Sequence, residues 1–178
     1  MATDHTLRYF ELIAATHERV ADALRADAPG LFGRATRNAA AQALNDNSVQ
    51  LRARLGPIEV SSHVDIEIGP AQEQLSSPWG YPVTTFALRW HATRDAGLFP
   101  SMQAKLLVYP HSQRHTQLEL EGTYDPPLGP LGDALDALGA HTLAERSVQS
   151  FLRDIATQLE RELAHSQPAS AASGASGD

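Results

Sequence analysis

The sequence predicts an α+β domain in which a curved antiparallel sheet of about six or seven strands wraps a long C-terminal helix, with two short helices after the first strand. Two changes of period and one interruption carry this. Between Val49 and Tyr124 apolar residues recur mostly at every second position, as half-buried strands require. From about Leu131 to Ala164 the step becomes three and four, with Ala144, Val148, Phe151, Leu152, Ile155 and Leu159 on one stripe. Glu145, Arg146, Gln149, Arg153, Gln158 and Arg161 mostly fill the other side. The stretch Gly122–Gly132, dense in Gly and Pro, divides the two regimes. A helix with one apolar stripe needs an apolar surface to lie on, and the strands supply it.

Thr6–Ala14, with Leu, Tyr, Phe and Ile, reads as the first strand. Thr16 is placed to cap a helix over His17–Ala26, where Val20, Ala21 and Leu24 share a side and Pro29–Gly30 ends the run. Leu31–Leu44 is Ala-rich and helical, closing at the turn formers Asn45, Asp46 and Asn47. Val49, Leu51, Ala53 and Leu55 alternate with Gln50, Arg52 and Arg54, which predicts a strand up to Gly56–Pro57. In the next strand Ile58, Val60, Val64, Ile66 and Ile68 oppose Glu59, Asp65 and Glu67, and Gly69–Pro70 stops it. After a loop around Ser76–Tyr81, Phe86, Leu88 and Trp90 oppose Thr85, Arg89 and His91. Ser101–Tyr109 sets Met102, Ala104, Leu106 and Val108 on one face, and Thr116–Tyr124 does so with Leu118, Leu120 and Tyr124. The polar Pro110–His115 between them reads as a hairpin turn.

The 178 residues fit one domain, 1–165, followed by an Ala/Ser/Gly tail, 166–178, with nothing to bury. Fourteen Lys and Arg against 21 Asp and Glu give a net charge of -7, which opposes a phosphate backbone, so no nucleic acid is expected as partner. The absence of cysteine excludes disulfides, thiolate metal sites and thiol nucleophiles. The N-terminus has no signal-like apolar region, and no window reaches the roughly 20 apolar residues of a membrane span. A soluble cytoplasmic protein is the expectation.

No GxSxG, phosphate loop, HExxH or CxxC motif is present. His111 and His115 are four apart, but their turn context argues against zinc, and His63 alternates with acidic residues towards solvent. Asp65, Glu67, Arg89, Glu119 and Glu121 fall on the outer face, where solvent would keep their ionisation ordinary. The inward positions Val64, Ile66, Phe86, Leu88, Trp90, Met102, Leu106, Val108, Leu118 and Leu120, with Val148, Phe151 and Ile155 from the helix, form either a filled core or the wall of a ligand cavity. His141, seven residues before Val148, shares the apolar stripe. It is a candidate head-group anchor or general base, or a structural histidine near Gly139. Trp90 and Tyr124 each join an apolar body to one polar handle, which suits orienting a ligand or plain packing.

The block Gly97-Leu98-Phe99-Pro100 and the run from Gly122-Thr123-Tyr124-Asp125 through Pro126, Pro127, Leu128, Gly129, Pro130 and Leu131 to Gly132, set in this order of elements, resemble the helix-grip fold of the START and Bet v 1-like (SRPBCC) superfamily, near its bacterial polyketide cyclase-type members. The resemblance implies a cavity between sheet and C-terminal helix that holds a lipid, sterol, polyketide or similar molecule. The leading expectation is therefore non-enzymatic binding of a small hydrophobic molecule, without cofactor or metal. The alternatives are a cyclase/aromatase-like enzyme in which His141 or Tyr124 assists proton transfer, and a macromolecular interaction protein.

Overall fold

A computed structural model describes residues 5–55, 64–92, 101–125 and 137–166. Their order is β1 (His5–Ile13), α1 (His17–Leu55), β2 (Val64–Ile68), β3 (Gln72–Leu75), β4 (Pro82–Ala92), β5 (Ser101–Pro110), β6 (Thr116–Asp125) and α2 (Ala137–His165). All strand pairs are antiparallel, in the order β1-β6-β5-β4-β2, and β3 also pairs with β4. The apolar stripe of α2 is buried with the inner face of the sheet, and α1 packs beside α2. This is the helix-grip arrangement.

Period two placed the sheet's faces correctly. Phe86, Leu88 and Trp90 of β4, Leu106 and Val108 of β5, and Leu118, Leu120 and Tyr124 of β6 are all buried inward. On β1, Leu7 and Ile13 point in while Phe10 and Leu12 remain exposed. The turn at His111–His115 is also as expected, with the amides of His111 and Ser112 both donating to the His115 carbonyl at 2.9 and 3.0 Å.

The helical region after β1 differs from expectation. Its two segments meet at a kink at Asp27 (φ -148°, ψ 46°), and the second begins there without an intervening loop. The Gly30 amide donates to Asp27 Oδ1 at 3.1 Å, so Asp27 caps a new helix and Pro29 sits in its first turn, where a missing N–H costs nothing. That second segment then runs to Leu55. The stretch Val49–Leu55, expected as a strand, and its turn at Asn45, Asp46 and Asn47 are thus helical. Gln50, Leu51, Arg52, Ala53, Arg54 and Leu55 are all good helix formers, and only Val49 is β-branched, so a chance alternation was overridden by propensity continuing from the Ala-rich run. Strand β3 went unseen because Gln72, Glu73, Gln74 and Leu75 are all exposed and show no alternation; backbone pairing alone holds them to β4. Ile58, Val60, His63, Gly97–Pro100, the segment 126–136 and the tail beyond Ser166 lie outside the described residues.

Gly122 marks where β5 approaches β6 too closely for a side chain. It pairs with Ala104, and a Cβ built on it would lie 2.7 Å from both Ala104 Cβ and the Gln103 carbonyl oxygen. Gly122→Ala should therefore lower unfolding stability by about 1–3 kcal/mol in urea titrations, because backbone cannot yield as a side chain can. Gly33→Ala, where the nearest atom would be a flexible Arg37 nitrogen at 3.6 Å in mid-helix, should be neutral or stabilising by up to about 1 kcal/mol.

Candidate functional site

The interior between sheet and helices is built by three elements converging on aromatic rings. Phe151 of α2 meets Trp90 of β4 edge-on at 5.1 Å and Phe32 of α1 at 6.1 Å, and Phe32 meets Phe86 edge-on at 5.7 Å. Edge-to-face packing sets positive ring edges against negative faces. The Trp90 indole N–H donates to Thr36 Oγ1 at 3.1 Å, so both buried polar groups of that contact are satisfied. Phe86, Leu88, Trp90, Leu106, Leu118, Leu120, Tyr124, Val148, Phe151 and Ile155 fall in one buried cluster, with Ile66 and Met102 packed half-buried against it. Val64 is paired with Ala92 in β2 and His141 lies in the early turns of α2, but the side chains of both lie outside those described.

One polar group at the helix–sheet seam was not anticipated. Tyr9 of β1 is hydrogen-bonded to Glu145 of α2; burial, then that bond and the Glu145 charge, push its phenol above the usual tyrosine value. Burial pushes Tyr124 up as well, and the same charge adds to it. Both phenols stay protonated hydrogen-bond donors throughout the neutral range. Helical spacing puts Glu145 on the polar side of the helix, yet it is half-buried beside Ala144 of the apolar stripe. A usable signal did exist for Tyr9, which shares parity with Leu7 and Ile13.

The expectation that Glu119 is an ordinary solvent-facing carboxylate is wrong. It is only 4% exposed, because Arg8 and Tyr109 fold over it and both donate to its carboxylate. Gln117 Nε2 donates to Glu119 at 3.3 Å and to the Tyr109 hydroxyl at 2.7 Å. Burial pushes the carboxyl up, but bonds from Arg8 and Tyr109 and the Arg8 charge outweigh it and hold the group below the usual carboxylate range. Tyr109 is driven far above the usual tyrosine value by burial, then by its bond to Glu119 and that charge. Arg8, Tyr109 and Glu119 line a groove of about 450 Å³ on the outer face, together with Tyr81, Val83 and Leu107.

Among the described residues no group of three or more His, Asp or Glu is placed to hold a metal, and no helix is long and apolar enough to cross a membrane.

A curved sheet closed over its C-terminal helix, with an apolar and aromatic interior, defines a helix-grip protein. No family model and no curated protein matches the sequence. Among solved structures, the chain is similar to the ZhuI aromatase/cyclase from Streptomyces sp. R1128, at 14% identity over 90% of this chain and 96% of that one, with a TM-score of 0.45. It is similar to norcoclaurine synthase from Thalictrum flavum in complex with dopamine and hydroxybenzaldehyde, at 11% identity over 94% and 91%, TM-score 0.44. A conserved protein from Geobacillus kaustophilus is similar at 12% identity over 89% and 97%, TM-score 0.44. These are likenesses of outline and assign no activity to this chain.

A carboxyl whose native pKa is depressed contributes stability that is present above its unfolded value and lost as pH falls through the native one. Glu119→Gln should therefore cost about 1–3 kcal/mol at neutral pH. The deficit should disappear as acid protonates the native carboxyl, which urea midpoints taken down a pH series will show.

Proposed function

We propose that this chain binds a small hydrophobic molecule between the inner face of the sheet and α2. The observation that carries the reading is the convergence of Phe86, Trp90 and Phe151 on one apolar interior whose seam holds the Tyr9–Glu145 pair and the Tyr124 phenol. Aromatic walls favour a flat or greasy body, and a few polar groups at one end fix its orientation. Ile66 and Met102 stand at the margin of this interior, and Val64 and His141 belong to the same proposed wall.

A second reading, a cyclase/aromatase-like enzyme, is favoured by the same seam. A carboxylate beside two protonated phenols can accept a proton from a bound molecule and return one to it, with Tyr124 and His141 as assisting groups.

Native mass spectrometry of freshly purified protein, followed by denaturation, tests the binding reading. The expected result is a stoichiometric apolar passenger. A bare polypeptide mass together with no saturable uptake of anilinonaphthalene sulfonate would overturn it. Tyr124→Phe should weaken retention roughly fivefold, the worth of about 1 kcal/mol for one hydrogen bond, while leaving the fold intact.

A further inference from the structure

The hairpin joining β3 and β4 carries an apolar tip that neither the core nor the interior site uses. The Ser76 amide donates to the Tyr81 carbonyl at 2.8 Å and the Gly80 amide to the Ser76 carbonyl at 2.6 Å. Gly80 holds a φ of +69°, which glycine alone adopts without strain, so the turn is closed by its own backbone. Two large apolar side chains are left in solvent: Leu75, 72% exposed, and Trp79, 77% exposed. The segment Leu75–Tyr81 contains no charged residue.

The register β4 to β5 (Thr84↔Val108) sets the β5–β6 hairpin at the same end of the sheet, and the rings of Tyr81 and Tyr109 meet at 5.8 Å between them. That neighbouring turn displays His111, Arg114 and His115, all exposed, and has no acidic residue from Pro110 to Gln117. The carboxylate of β3, Glu73, pairs with Arg25, which Asp22 also engages. In a chain of net charge -7, the apolar tip thus stands beside a turn whose one formal charge is the Arg114 cation, while Glu119 and Glu121 in the adjoining groove face Arg8.

A stable protein interface needs about 800 Å² from each partner, far more than two side chains at a turn present. A bilayer surface needs less. An indole settles at headgroup depth, and an arginine beside it pairs with lipid phosphate. We propose that the Leu75–Tyr81 tip inserts into the surface of an anionic bilayer, with Arg114 and its flanking histidines over the headgroups. The docking is peripheral and stands independently of what the interior binds.

The chain has two tryptophans, and they separate the signals: Trp90 is only 6% exposed and emits from the core, whereas Trp79 reports the tip. With vesicles of phosphatidylcholine plus phosphatidylserine, emission should shift to the blue and the protein should float with the vesicles, an effect that salt weakens. Vesicles of phosphatidylcholine alone should bind it less. Leu75→Ser with Trp79→Ser should reduce flotation roughly tenfold or more, and Arg114→Glu should reduce it on anionic vesicles, with near-ultraviolet dichroism of the core unchanged. Trp79→Phe should still float while losing the emission shift. Unchanged emission and no flotation on either vesicle, or full flotation of the double variant, would overturn the proposal. So would a concentration-dependent dimer abolished by the double variant, which would give the tip to a second copy.

Discussion

Burial of one stripe of α2 against the sheet is the constraint on which the rest of the structure depends. Leu152, Ile155 and Leu159 from the helix and Leu106, Leu118 and Leu120 from the sheet are all fully buried in one cluster, to which α1 adds Leu24, Leu31 and Phe32. Phe151 is the joint of this assembly, because one ring touches Trp90 on the sheet and Phe32 on α1. Trp90 then ties the sheet to α1 a second time through Thr36. Removing a large buried side chain costs about 2–5 kcal/mol, set against a total stability of about 5–15 kcal/mol, so a truncation at this joint loosens three elements together.

The sheet's two faces were legible in the sequence because parity is a local property. Phe86, Leu88 and Trp90 needed only their spacing to be assigned inward, and the stripe from Ala144 to Leu159 needed only its own. What parity cannot report is depth. Glu119 lies on the outer face, as its alternation with Leu118 and Leu120 requires, yet it is buried by Arg8, 111 residues away in sequence, and by Tyr109 on the neighbouring strand. Burial of that kind is made by pairing of distant strands and leaves no trace in a window of ten residues. The extent of α1 was lost for the opposite reason: a short alternation between Val49 and Leu55 imitated a strand in residues whose intrinsic preference is helical.

The candidate site was legible in its apolar part and illegible in its polar part. Each aromatic wall residue announces itself by size and parity, whereas the Tyr9–Glu145 contact joins the first strand to the last helix across the length of the chain. The same pairing puts Tyr9 opposite Leu120 and carries it to the helix seam. A polar seam assembled from the two ends of the chain depends on long-range contacts that no local pattern encodes.

Two polar groups now compete for a functional reading, and their surroundings separate them. Glu119 receives donors from Arg8, Tyr109 and Gln117 in an outer groove open to solvent, and its depressed pKa shows a charge stabilised by the protein's own groups. A carboxylate so saturated serves to clamp β1, β5 and β6 together across the outer face. The seam differs in place: there burial and the Glu145 charge push two phenols upward beside the apolar interior, as burial and Glu119 push Tyr109 on the outer face. The proposed ligand contacts therefore rest on the seam, while the outer cluster joins three strands through groups that satisfy one another.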